Sequence, residues 1–153
     1  MAEAWRIVKA RHATGPFSGE GARLYGGRWT SRGRRAVYAS ASAALAILEV
    51  LVHLEAPALL PAYVLVPVGI PDDLIQRRDT AALPPDWRDY PAPVRLQEMG
   101  DAWLDAGATP ALQVPSAIVP AEFNFLLNPA HPEFTRILIG EPRPYTFDPP
   151  LLR

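Results

Sequence analysis

A single carboxylate, Glu49, stands in the run Ala43-Ala44-Leu45-Ala46-Ile47-Leu48-Glu49-Val50-Leu51-Val52-His53, and it is the residue around which chemistry could be built. The run has helical length, good helix formers and Ser42 as an N-cap, and its apolar residues occupy every side rather than one stripe. That pattern predicts a buried helix. Burying even a neutral polar group without partners costs roughly 2–7 kcal/mol, and a charge costs more, so Glu49 must be compensated. Two arrangements would do this. In one, Glu49 pairs with His53, four residues on and on the same face, or with an Arg from another element. In the other it lies in the wall of a cleft and meets a polar ligand. Spacing alone does not choose between them.

The charge distribution says what kind of ligand. Net charge is only -1, yet residues 1–35 hold eight basic and two acidic side chains, against seven and fourteen in residues 36–153. The basic end is nearly all Arg, whose planar fork suits bidentate binding of phosphate or carboxylate. A small anionic ligand fits this better than a nucleic-acid duplex, and no aromatic stripe interleaves the cations, so direct nucleic-acid binding is not expected. Other chemistries lack their parts. Ser116 and His131 could belong to a Ser-His-acid hydrolase, but the chain has no Gly-x-Ser-x-Gly elbow and His131 sits in a Pro-bracketed loop. His12, His53 and His131 show no paired spacing, and there is no cysteine, so no metal is expected. The glycines from Gly15 to Gly27 match neither a dinucleotide fingerprint nor a phosphate-cradling loop.

The elements that must position these residues read as short and mixed. Strands are expected at Trp5–Ala10, Arg35–Ser40, Tyr63–Ile70 with Pro67 at an edge or bulge, Leu112–Val119 bent at Pro115, Phe134–Ile139, and Tyr145–Phe147. Gly15 to Trp29 reads as a loop passing into extended chain, Pro71–Ile75 as a short helical turn, and Arg77–Pro93 as an ordered surface loop. Pro93–Asp105 reads as a helix stopped by Gly107, with Leu96, Met99, Trp103 and Leu104 on its apolar side and Glu98, Asp101 and Asp105 on a solvated face. The sum is a single α+β domain over residues 1–153, not a doubly wound parallel sheet. The N-terminus lacks the apolar core of a signal peptide, and Ala56–Ile70 is interrupted by Pro57, Pro61 and Pro67, so a cytoplasmic protein without a membrane segment is expected.

Five motifs in order, Gly26-Gly27-Arg28-Trp29, Val37-Tyr38-Ala39-Ser40, Ala44-Leu45-Ala46-Ile47-Leu48-Glu49, Val114-Pro115-Ser116-Ala117-Ile118-Val119, and Glu122-Phe123-Asn124 followed by Asn128-Pro129, resemble the RES domain. The Arg, Glu and Ser of that family's name map to Arg28, Glu49 and Ser116; where the family pattern has Asn after the Trp, this chain has Thr30. The resemblance implies a fold similar to ADP-ribosyltransferases and the toxin half of a bacterial toxin–antitoxin pair. It also implies NAD as the substrate and an Xre-type antitoxin as the partner.

It further implies a site. Arg28, helped by Arg6 or Arg23, would anchor phosphate oxygens, and Glu49 would grip a ribose hydroxyl and favour the positive charge that develops as nicotinamide leaves. Tyr38 would lie against the nicotinamide ring, and Ser116 and Asn124 would hydrogen-bond ribose or carboxamide. Each residue also has an ordinary structural use: Arg28 paired with Glu49 in the core, Tyr38 as a half-buried strand aromatic, Ser116 as a bend residue bonded to backbone. Hydrolysis, phosphorolysis and transfer of ADP-ribose to a protein stay open, as does a module that only binds a nucleotide.

Overall fold

The computed structural model describes residues 1–53 and 62–147. Its first strand, β1 (Ala2–Lys9), buries Ala4 and Val8, exposes Glu3, leaves its other residues partly buried, and runs antiparallel to a second eight-residue strand along eight residue pairs, Ala2↔Ile70 to Lys9↔Tyr63. A short helix α1 (Glu20–Tyr25) follows, then β2 (Val37–Ser40), helix α2 (Ala43–Leu51), β3 (Tyr63–Ile70) and β4 (Ile75–Arg77). Helix α3 (Val94–Ala106), β5 (Ala111–Pro115), β6 (Phe123–Leu127), β7 (Leu138–Ile139) and β8 (Arg143–Tyr145) complete the described chain. The strands form one sheet in the order β4-β5-β6-β2-β1-β3-β7, with β8 also on β3; only β4 and β5 run parallel. The architecture is α+β, as the pattern of short mixed elements predicts.

Two hydrophobic clusters hold the sheet. One gathers Val37, Val66, Ile70, Phe125 and Leu127; the other packs Trp29, Trp87, Leu96, Trp103 and Leu126 beneath α3. Pro67, which has no N–H to give, falls between the stretches of β3 paired by β8 (Tyr63–Leu65) and by β7 (Val68–Gly69). Between β1 and β2 the register contains one pair, Trp5↔Ser40. Beyond it the strands part, and the guanidinium of Arg6 fills the gap, donating from Nη1 to the carbonyl of Tyr38 at 2.8 Å and from Nε to that of Pro16 at 2.5 Å. This split in the sheet is where the site lies.

Several expectations are corrected. Residues 20–25 are helical, not extended: Ala22 is buried, and Glu20 ties the turn together by pairing with Arg23 three residues on and with Arg35 beyond the loop, the second a contact no local pattern encodes. Arg23 bonds Glu20 from both Nε and Nη2 and does not line the main cleft. Phe123–Leu127, expected only as a motif before a loop, is a central strand between β5 and β2. The predicted strand Phe134–Ile139 is mostly a 3-10 helix, Pro132–Arg136, because His131 Nδ1 caps Glu133 N–H and Pro132 opens the turn; only Leu138–Ile139 pairs. The last strand sits two residues earlier than expected, and Phe147 instead packs edge-on against Tyr63 and Tyr145.

Helix α2 begins as predicted, with Ser42 Oγ accepting from Leu45 N–H at 3.1 Å, but it is not buried all round. It rests on β1 and β2 through Leu45 and Ala46, while Ala44 and Val52 stay exposed; no second layer of described residues covers that outer side. The candidate span Ala56–Ile70 lies partly outside the described residues, and its remainder is β3. Among the described residues no helix is long and apolar enough to cross a membrane.

Candidate functional site

The cleft at the split is a cavity of about 570 Å³ with Arg6, Arg28, Tyr38, Glu49 and Asn124 in its wall. A second chamber of about 430 Å³, lined in addition by Trp5, Lys9 and Ser40, shares Arg6, Tyr38, Glu49, His53 and Asn124 with the first, so the two meet at Glu49. Each wall residue is placed by a different element: Arg6 by β1, Tyr38 by β2, Glu49 by α2, Asn124 by β6.

Among the described residues, Glu49 is compensated by neither His53 nor an Arg. Its Oε1 accepts from Ser116 Oγ at 3.0 Å and from Asn124 Nδ2 at 2.7 Å. Ser116 follows the last residue of β5 and is fully buried; its Oγ also accepts from the N–H groups of Ile118 and Val119, both at 3.1 Å, which aims its one proton at Glu49. Asn124 is oriented in the same way from behind, because its Oδ1 accepts from Ser40 Oγ at 2.8 Å, leaving Nδ2 for the carboxylate. Both donors converge on one oxygen, and Oε2 has no protein donor among the described residues. A carboxylate fixed by two donors with one oxygen to spare is prepared to take a hydroxyl or a developing cation. Ser116, buried and committed to Glu49, does not touch His131, whose Nε2 meets the carbonyl of Gly107 at 2.8 Å. That removes the hydrolase arrangement.

Arg28 stands apart from Glu49 on the loop between α1 and β2. Its guanidinium donates from Nη1 to the carbonyl of Trp87 at 2.9 Å and from Nη2 to that of Asp89 at 3.1 Å, and lies 4.4 Å from the centroid of the Tyr90 ring. These contacts are to neutral groups, no carboxylate among the described residues pairs with it, and further N–H groups face the cleft for an anion. Arg6, by contrast, spends two donors on carbonyls, and burial pulls its guanidinium down to about 10. Its place in the wall is that of a strut for the split sheet.

What holds the Arg28 loop is α3. Gln97 Nε2 donates to the carbonyl oxygens of Gly27 (3.0 Å) and Thr30 (3.3 Å), Asp101 accepts from Ser31 N–H (3.1 Å) and Oγ (2.5 Å), and Asp105 pairs with Arg34 at 2.6 Å. The face predicted to be merely solvated is therefore a clamp on the site loop through Asp101 and Asp105. Gly100 lets α3 approach the backbone of Trp29, where a Cβ would meet the carbonyl carbon at 2.7 Å.

Tyr38 works through its hydroxyl as well as its ring. The hydroxyl is enclosed, accepts from Trp29 N–H at 3.3 Å and shares a hydrogen bond of 2.7 Å with Thr30 Oγ1. Thr30 itself is fully buried, so the residue standing where the family pattern has Asn makes a defined polar contact. Burial pushes the Tyr38 phenol up to about 12, against the pull of the Thr30 and Trp29 bonds. Tyr38→Phe should leave the Thr30 hydroxyl and the Trp29 N–H without their partner and cost about 1–3 kcal/mol, read as a lower unfolding midpoint in urea. The raised phenol pKa means its contribution is fully present below about pH 10 and is lost as pH rises through about 12. The difference between wild type and variant should accordingly shrink over that interval.

Ser40, Gln97 and Tyr90 are neighbours of the site that the sequence alone does not single out, and Asp101 is one it reads only as solvated. For Ser40 a signal existed, since it closes the Val37-Tyr38-Ala39-Ser40 motif; for the α3 residues none did.

A family model described as RES domain matches residues 3–148. A protein named "Toxin Res" from Yersinia enterocolitica is 38% identical over 148 residues, covering 96% of this chain and 97% of the relative. A "Prs ADP-ribosylating toxin" from a Sphingobium species is 39% identical over 154 residues, covering 97% and 96%. Among solved structures, that of the Mycobacterium tuberculosis MbcT-MbcA toxin-antitoxin complex contains a chain that superposes with a TM-score of 0.77 at 21% identity, covering 95% of this chain and 84% of the other; the two share the fold.

Proposed function

The chain belongs to the RES domain family, and from that premise we propose that it is the toxin of a bacterial toxin–antitoxin pair, an enzyme that takes NAD as substrate and breaks its nicotinamide–ribose bond. The observation that carries this reading is the state of Glu49, a carboxylate held through Oε1 by Ser116 and Asn124 at the meeting point of two chambers. The nicotinamide ribose sits at Glu49. As the glycosidic bond stretches, the positive charge carried by the nicotinamide ring passes to the ribose and nicotinamide leaves neutral, and a carboxylate fixed beside the ribose stabilises that charge more in the transition state than in the ground state. Arg28 takes the diphosphate with its remaining N–H groups. Ser116 and Asn124 act through Glu49, as positioning residues.

The purified chain mixed with NAD should release free nicotinamide, and NAD left intact would sink the reading in favour of a module that only binds nucleotides. The co-product decides the acceptor: ADP-ribose for water, a phosphorylated ADP-ribose for phosphate, a protein-linked adduct for a protein side chain. The relative named as an ADP-ribosylating toxin favours keeping the last outcome as the second reading.

The partner proposed is an Xre-type antitoxin. Arg28 holds its charge in the open cleft, so a carboxylate-bearing antitoxin segment, such as its C-terminus, can occupy the phosphate position and compete with NAD. Removing that segment should abolish the competition. Inhibition by the truncated antitoxin that is as strong as before and indifferent to NAD would place the contact elsewhere.

A further inference from the structure

We propose that Tyr90 is the stacking platform for the adenine ring of the dinucleotide, an inference that rests on the NAD reading above. Tyr90 is 58% exposed, although the segment that carries it is firmly held. On one side Trp87 is buried in the second core cluster and its carbonyl accepts from Arg28; Arg88 Nε donates to the carbonyl of Ala117 at 2.9 Å; on the other side Pro91 and Ala92 line the cleft. A tethered segment that leaves a large ring in the open at a cleft mouth presents a surface rather than a packing residue. One face of that ring is met by the Arg28 guanidinium, and the ring of His53 stands 6.0 Å away at a tilt of 56°.

The position fixes which base the ring meets. His53 lies four residues beyond Glu49, one past the Val52 C-cap of α2, so Tyr90 marks the outer end of a path whose inner end is the carboxylate. With the nicotinamide ribose at Glu49 and the diphosphate at Arg28, the group that continues outward past the phosphates is the adenosine half. Tyr90 adjoins Arg28 directly, so the adenine is the ring within its reach. Aromatic stacking of a base is worth roughly five- to hundredfold in affinity and tolerates any ring of adequate area.

The test compares wild type with Tyr90→Ala, Tyr90→Phe and Tyr90→Trp, each first shown to melt as the wild type does. For Tyr90→Ala we expect KM for NAD to rise by roughly five- to hundredfold with kcat changed by less than about twofold, and the Phe and Trp variants to restore KM. Binding of ADP, measured by calorimetry so that turnover is not required, should weaken by the same factor, while nicotinamide mononucleotide, which carries a phosphate but no adenine, should bind as before. Equal losses for both ligands would mean that Tyr90 only braces Arg28, and unchanged ADP binding would mean that nothing stacks there; either overturns the proposal. If wild type binds ADP through Tyr90 yet releases no nicotinamide from NAD, the enzymatic reading falls and the adenine site stands. If it neither binds ADP nor consumes NAD, both fall.

Discussion

Glu49→Gln should fold as the wild type does and lose at least about a hundredfold of its NAD consumption, the scale on which removing one preorganised electrostatic group from a site lowers kcat. The arrangement around the carboxylate makes this substitution unusually clean. Ser116 Oγ and Asn124 Nδ2 both donate to Oε1, so a glutamine can turn its carbonyl oxygen to the same two donors and keep both contacts. Its Nε2 then replaces Oε2, the oxygen without a protein donor among the described residues. Charge disappears where the substrate would feel it, and the framework loses only the difference between charged and neutral hydrogen bonds, about 1 kcal/mol. Free nicotinamide released per unit time, together with a thermal melt, reads both halves. In cells, expression of the wild type without a partner should slow growth by draining NAD, and the variant should relieve it. A variant that keeps more than about a tenth of the turnover would show that the carboxylate charge is not what drives the reaction.

How much of this site could be read from the chain depends on whether a contact is local or tertiary. The helix carrying Glu49 was legible because Ser42 and the run after it satisfy local rules, and its incomplete burial was not, because that depends on what packs against the outer side of α2. The Arg28, Glu49, Ser116 and Asn124 positions stood out through the ordered motifs. That Ser116 and Asn124 hold Glu49, rather than reach independently for ligand, needed the approach of β5 and β6 to α2. Asp101 and Asp105 looked like solvent-facing carboxylates for the same reason: helical periodicity places them opposite the buried side but says nothing of Ser31 and Arg34, some seventy residues away in sequence, that meet them. α1 was invisible because Gly19 and Gly21 read as breakers, and only the Glu20 ion pairs and buried Ala22 make six residues hold a helix.

Gly100→Ala should be among the most damaging single-methyl additions in the molecule. At this point α3 lies against the backbone of Trp29, and an added Cβ would fall inside the carbonyl oxygen and within 2.7 Å of the carbonyl carbon. A flexible side chain could rotate away from such an overlap, but a peptide group cannot, so either α3 or the Trp29–Thr30 peptide must move. Movement of α3 would strain the buried contacts of Leu96 and Trp103; movement of the loop would break the bonds from Gln97 and Asp101 that hold it. The cost should reach about 3 kcal/mol, the upper range for overpacking a core, or a melting temperature lower by roughly 6–12 °C for a chain of this size. Because the displaced peptide lies one residue past Arg28 on the same loop, the KM for NAD should rise as well, at temperatures where the variant is still folded. Gly21→Ala supplies the control: that glycine is exposed within α1 and has nothing within 4 Å of the added carbon. There alanine should raise stability by up to about 1 kcal/mol through helix propensity alone. Melting of Gly100→Ala within about 2 °C of wild type, with KM unchanged, would mean that α3 does not clamp the Arg28 loop as closely as the Gly100–Trp29 contact requires.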